Sequence, residues 1–274
     1  MFQGVQTMKR LLEIIKLQRN ETELYRKAAV TFAKKELIII PQVLGVLLTG
    51  SVARGDARKG LHGFMIDITI VLDRNATIDL TECFGPSVEP PDFPFHAIQR
   101  ESELFAIELI SIEKLIDIKN QPESVIFAKQ ESLILFDRTG RIQQWKETAF
   151  HLNNDEIKKR ALTNYGLFRY LVGRYRYEKW AYRKAWIQIA HNYNAACECF
   201  CSFLFCINGS YVPRKDWMVY LTYELPDKPE DHDQLIHSMY RSAITEEDLE
   251  IRATFMARAN QWMEAYCKNK GWIT

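Results

Sequence analysis

The residue types best suited to chemistry fall in the run Gly50-Ser51-Val52-Ala53-Arg54-Gly55 and at two later acids, Asp67 and Glu108. Gly50 and Gly55 permit tight backbone turns. Gly50 and Ser51 would offer N–H groups and a hydroxyl to phosphate oxygens. Asp67 lies in a stretch whose alternation sets Ile66, Ile68, Ile70 and Leu72 on one face of a strand and Asp67, Thr69 and Asp73 on the other. Glu108 stands between Ile107 and Leu109 and points away from both. If the two strands are neighbours, Asp67 and Glu108 meet above one face of the sheet. Two carboxylates so placed would hold a hard divalent cation. Such a cation would bridge a nucleotide's phosphates and stabilise the charge that develops in transfer.

These groups need a scaffold, and the pattern supplies one. Val43–Leu48 reads as a buried strand that delivers Gly50. A helix is expected over residues 4–18, on the spacing of Leu11, Leu12, Ile14, Ile15 and Leu17. A second starts at Asn20, with Glu23 as its capping partner, and runs to about Lys35 before Pro41 breaks the chain. Arg54 to Gly63 reads as a polar loop, Ile66–Leu72 as the second strand and the proline-rich stretch Glu82–Pro94 as a loop. Ala97–Arg100 and Leu104–Ile110 follow as strands, Ile112–Ile118 as a short helix, and Leu133–Phe136 as a last strand closed by the turn Asp137–Gly140. The spacing predicts a mixed α/β domain over residues 1–150. Beyond Asn154 the period becomes helical to about Ile207, interrupted at Gly173; Asn208-Gly209, Pro213, Pro226 and Pro229 mark connections. Thr245-Glu246-Glu247-Asp248 opens a final helix that runs to about Lys268. Residues 151–274 are therefore expected to form an all-helical bundle, and the fold class is α+β.

Strand, Gly-Ser-x-x-x-Gly, loop, strand with Asp-x-Asp, then a third carboxylate on a later strand is the signature of polymerase-beta-like nucleotidyltransferases. Gly50–Gly55 resembles it closely, and Ala106-Ile107-Glu108-Leu109-Ile110-Ser111-Ile112-Glu113 resembles the strand of the third carboxylate. The two-domain plan is similar to the branch that adenylylates aminoglycosides or lincosamides. The resemblance implies transfer of a nucleoside monophosphate from ATP or another NTP to a hydroxyl of a small molecule. It implies Mg²⁺ or Mn²⁺ on Asp67 and Glu108, with Gly50, Ser51, Arg54 and Gly55 at the nucleotide. Met65 departs from the pattern. In one register it stands where the first aspartate belongs; in the other Asp67 is the first aspartate and Thr69 replaces the second. A nucleotide-binding module that has lost its chemistry is the rival reading.

Composition narrows the rest. With 26% charged residues and a net charge of +1, no global field draws the chain to nucleic acid or to a membrane. The expected partners are thus a nucleotide and a small-molecule acceptor. The N-terminus lacks an apolar signal segment. Cys197, Cys199, Cys201 and Cys206 sit among Phe200, Phe203, Leu204 and Phe205, as small hydrophobes of a core would. Those features point to a reduced, cytoplasmic protein. The stretch Arg169–Lys184 is basic and aromatic, and three readings stay open for it: a triphosphate contact, a single-stranded nucleic-acid surface, or a solvated face over an aromatic stripe. Asn208-Gly209-Ser210-Tyr211-Val212-Pro213, with Trp217 beyond, resembles a stretch of helical-domain relatives that ends in Lys-Trp; Asp216 stands before the tryptophan, with Lys215 one place earlier.

Overall fold

The computed structural model describes residues 22–57, 65–241 and 245–274. The expected helix over 4–18, the Asn20 start of the next helix and loop residues 58–63 lie outside them. The chain divides into two compact units at residues 151 and 152.

In the first unit, helix α1 (residues 22–32) ends in a π-helical turn at Ala33–Leu37. Strand β1 (Val43–Leu48), helix α2 (Gly50–Arg54) and strand β2 (Met65–Leu72) come next. Helix α3 (Leu80–Phe84), strands β3 (His96–Arg100) and β4 (Glu103–Ser111), helices α4 (Ile112–Ile116) and α5 (Glu123–Gln130), strand β5 (Leu133–Asp137) and helix α6 (Arg141–Ala149) complete it. The five strands form one mixed sheet in the order β3-β4-β2-β1-β5. β2 and β4 are parallel, and the other neighbours are antiparallel.

Period-2 alternation gives the sheet two different faces. Ile66, Ile68, Ile70, Phe105 and Ile107 are buried on one of them, in a core shared with Ala29, Phe32 and Ala33 of α1. The Phe32 and Phe105 rings stack at 4.4 Å. Burying each such side chain contributes roughly 1.5–3 kcal/mol. The other face carries Gly45, Leu47, Asp67, Thr69 and Glu108. Ile142 of α6 closes on it over Gly45, and Lys129 of α5 reaches Thr69. Leu47 and Val71 lie fully buried there.

Several features differ from the sequence expectation: α3 runs into the expected loop Glu82–Pro94, and α5 has no counterpart in it. Gly50–Arg54 is a short helix, where a turn leading into a loop from Arg54 is expected, and it is stopped by Gly55 at φ 97°. The turn after β5 is the entry to α6: Asp137 Oδ1 accepts from Thr139 N at 3.1 Å and Gly140 N at 2.9 Å, and Oδ2 from Ile142 N at 3.0 Å and Gln143 N at 2.9 Å. Asp137 thus neutralises amides that a helix start leaves bare.

The second unit contains helices α7 (Asn154–Val172), α8 (Arg174–Ala181), α9 (Trp186–Ile207), α10 (Lys215–Leu221), α11 (His232–Met239) and α12 (Glu246–Asn269). A full capping box starts α7: Glu156 N donates to Asn153 Oδ1 and Asn153 N to Glu156 Oε2, both at 2.9 Å. Thr245 Oγ1 accepts from Asp248 N at 3.2 Å at the start of α12. α9 supplies the centre, with Ala196, Cys197, Phe200, Cys201, Phe203 and Leu204 all at 0% exposure. Phe200, Phe203, Trp262 and Tyr266 meet edge to face around it. The fold class is α+β: a mixed sheet with flanking helices, followed by an all-helical unit. Among the described residues no helix is long and apolar enough to cross a membrane.

Candidate nucleotide site

The site is built on one face of the β2–β4 pair. Parallel pairing sets Asp67 beside Ala106 and Thr69 beside Glu108. Paired residues of neighbouring strands share a face, so Asp67, Thr69 and Glu108 stand on the same side of the sheet. Thr69 Oγ1 donates to Glu108 Oε2 at 2.8 Å.

β1 runs antiparallel to β2 and ends at Leu48, opposite Ile68. Thr49 N then donates to Asp67 O at 2.9 Å, which sets the start of α2 against Asp67. Gly50 takes φ 67° there, and Asp67 Oδ2 fills the space a β-carbon on Gly50 would need. Gly50 and Ser51 are half-buried. The far end of α2 is held from α1: Arg26 Nε donates to Val52 O at 3.0 Å and its other nitrogen to Ala53 O at 2.6 Å. Gly55 N and Asp56 N both donate to Ser51 O at 3.0 Å. The Gly50–Gly55 segment is therefore fixed at both ends.

Arg54 and Asp56 are placed differently from Asp67 and Glu108. The Arg54 guanidinium pairs with the Asp56 carboxylate at 3.3 Å, and both side chains are largely buried. Any contact of Arg54 with a phosphate competes with that pair, and Asp56 is committed to it rather than to the sheet face.

Lys129 is the residue that sequence reasoning missed. Its ammonium donates to Glu108 Oε2 at 2.5 Å and to Thr69 Oγ1 at 2.7 Å. The Lys129 side chain is 4% exposed, while Glu108 is 38% exposed. The C-terminal end of α5 is pinned independently. Lys146 Nζ donates to Gln130 O at 2.9 Å and to Ser132 Oγ at 3.2 Å, and Ser132 Oγ donates to Lys129 O at 2.6 Å. Burial pushes the Lys146 pKa below its ordinary value, against the pull of Glu131. No sequence signal marks Lys129. It is a lone lysine after Ile126-Phe127-Ala128, on a short helix without a strong apolar stripe.

A divalent cation on this face has few ligands to use. Mg²⁺ asks for six oxygens near octahedral geometry. Asp67 lies against Gly50, and one oxygen of Glu108 already accepts from both Thr69 and Lys129. Among the described residues no group of three or more His, Cys, Asp or Glu side chains is arranged to hold a metal. A centre shared by the Asp67 and Glu108 carboxylates does not fit this arrangement while Lys129 is in place.

In the helical unit, α8 buries no residue. Arg174 pairs with Glu178, and the Arg176 guanidinium lies 3.6 Å from the centre of the Tyr170 ring. Lys215 pairs with Glu198 at 2.7 Å. Tyr211 is buried and stacked under Arg160 at 4.8 Å. The Asn208 turn is closed by Asp227, whose N donates to Asn208 Oδ1 at 2.9 Å. These contacts make the Asn208–Trp217 stretch a packed connection.

A family model described as a domain of unknown function, DUF4037, matches residues 119–218, a span that includes Lys129. No curated protein matches the chain. A crystal structure described as a nucleotidyltransferase-like protein from Exiguobacterium sibiricum 255-15 is similar at 12% identity, over 86% of this chain and 74% of that one, with a TM-score of 0.44. At that distance the likeness assigns no activity.

Proposed function

We propose that the first unit is a nucleotide-binding module of the polymerase-beta-like nucleotidyltransferase type, which seats a phosphate chain between the Gly50–Gly55 turn and the face carrying Asp67 and Glu108. One observation carries this reading. Asp67 and Glu108 stand on the same face of adjacent parallel strands, two register positions apart, with Gly50 packed on Asp67. The Gly50–Ser51 backbone and the Ser51 hydroxyl supply donors for phosphate oxygens. Lys129 balances the charge of Glu108 beneath the face without a metal ion. Six free cysteines and no disulfide suit a reducing cytoplasm.

A second reading is transfer of a nucleoside monophosphate from ATP or another NTP to a hydroxyl of a small molecule, with Mg²⁺ or Mn²⁺. The partial exposure of Glu108 favours it, because a carboxylate open to solvent is available to an acceptor's hydroxyl proton. In that reaction the acceptor oxygen bonds to the α-phosphorus as the bond to pyrophosphate breaks.

Calorimetry with ATP, GTP, CTP and UTP, in Mg²⁺ and in EDTA, separates the two. The binding module retains nucleotide affinity in EDTA and releases no pyrophosphate with polyol or aminoglycoside acceptors. Pyrophosphate release that needs the metal and disappears in Asp67→Ala establishes transfer instead. Absence of nucleotide binding under every condition removes both.

A further inference from the structure

We propose that the Lys129 ammonium is a built-in substitute for a divalent cation, and that it keeps Glu108 and Thr69 from ligating one. Thr69 Oγ1 and Glu108 Oε2 are 2.8 Å apart. Two adjacent ligands of an octahedral ion with bonds of about 2.1 Å are separated by about 3 Å. The two oxygens are thus spaced as a chelating edge, and Lys129 Nζ sits on that edge at 2.5 and 2.7 Å. An ammonium donates hydrogens where a metal would accept lone pairs, so the same oxygens satisfy either cation but not both. A divalent ion beside the ammonium also meets like-charge repulsion in a poorly solvated place.

The position is built into the backbone rather than chosen by a mobile side chain. Lys146 and Ser132 hold the Lys129 end of α5 through its carbonyls, independently of what Nζ touches. An ammonium this buried is tolerated because a carboxylate and a hydroxyl both accept from it. The sequence departure at Thr69 then acquires a physical partner: a hydroxyl where a second acid would stand adds no charge beside Glu108, so the single ammonium balances the carboxylate it touches, and Asp67 remains as the other acid of the face.

This deepens the nucleotide-binding reading, but its test uses the metal alone. Mn²⁺ is titrated into the full chain and free ion is followed by electron paramagnetic resonance, with circular dichroism confirming the fold of each variant. Lys129→Met is expected to gain one Mn²⁺ site, with affinity at least tenfold above any site in the wild type. Adding Glu108→Gln to that variant removes the gain. In the chain with native Lys129, Glu108→Gln leaves Mn²⁺ binding unchanged, because Glu108 is not a metal ligand there. Two results overturn the proposal: equal Mn²⁺ binding in Lys129→Met and wild type, or loss of wild-type Mn²⁺ binding on Glu108→Gln. The second keeps the proposal open to refutation even if Lys129→Met does not fold. Because no nucleotide is present, a failure here is distinct from a failure of nucleotide binding.

Discussion

The Asp67 carboxylate lies where a side chain on Gly50 would have to go: a β-carbon there would sit 3.0 Å from Asp67 Cγ and overlap Oδ2. Gly50 also holds φ 67°, a left-handed conformation that costs another residue about 1–2 kcal/mol. Gly50→Ala therefore meets two penalties at one position. The variant is expected to lose roughly 2–4 kcal/mol of stability, the overlap adding to the backbone term, and to lose nucleotide affinity as Asp67 is pushed aside. Urea denaturation and calorimetry with ATP check both effects. A Gly50→Ala chain that melts and binds like the wild type dissociates the turn from the acid.

Much of this arrangement can be read from residue patterns, for identifiable reasons. The β1 and β2 segments stand out because apolar runs bounded by turn residues have few alternatives, and the face of Asp67 follows from period 2 alone. Register does not follow. That Thr69, rather than Asp67, stands beside Glu108 depends on how β2 and β4 slide against each other, which tertiary packing decides. Lys129 is hidden for a different reason. A lysine that follows an apolar triplet and opens the polar run Lys129-Gln130-Glu131 reads as a solvated helix end, and only the structure shows that it points inward to two acceptors. Asp137 shows that a turn and a helix N-cap use the same residue chemistry, so its turn was legible and α6 behind it was not.

Gly45 of β1 packs directly under Ile142 of α6. A β-carbon there would lie 2.9 Å from Phe136 O and would collide with the end of Ile142. Ile142 is fully buried and has little room to retreat. Gly45→Ala is expected to cost about 1–3 kcal/mol through overpacking. Shortening the opposing chain in Gly45→Ala/Ile142→Val should recover part of that loss, as measured by thermal melting. No recovery would place the strain at the β1–β5 backbone instead.

Cys197, Cys201 and Cys206 of α9 and Cys267 of α12 sit in the helical core, and Cys199 of α9 is half-buried. Burial pushes the Cys197 thiol up to about 12 and that of Cys267 up to about 11, and it raises Cys199 and Cys201 as well. Thiolate is the reactive form, so these groups are inert near neutral pH. Cys83 is exposed. In the folded chain at pH 7.5, iodoacetamide is expected to modify Cys83 first and the half-buried Cys199 far more slowly, as mass spectrometry of the digest will show. Cys197, Cys201, Cys206 and Cys267 should react only after denaturation. Fast labelling of Cys197 or Cys201 would contradict the packing described for α9.

His232 gives the fold a defined acid sensitivity. The residue is 2% exposed and meets Tyr223 edge to face at 4.9 Å. Neither ring nitrogen has a hydrogen-bond partner. Burial, with Lys228 adding to it and Asp231 opposing, pushes its pKa down from 6.5 to about 4. The folded chain therefore binds fewer protons than the unfolded one between those values. The contribution of a neutral His232 is fully present above pH 6.5, falls as pH drops through the window and is exhausted near pH 4. Each tenfold weakening of proton binding corresponds to about 1.4 kcal/mol, so roughly 3 kcal/mol is at stake. His232→Leu removes the titrating group while keeping an apolar body in the same pocket. Urea midpoints at pH 7, 5.5 and 4.5 should fall steeply for the wild type and less steeply for the variant. Parallel declines would assign the acid sensitivity to other groups.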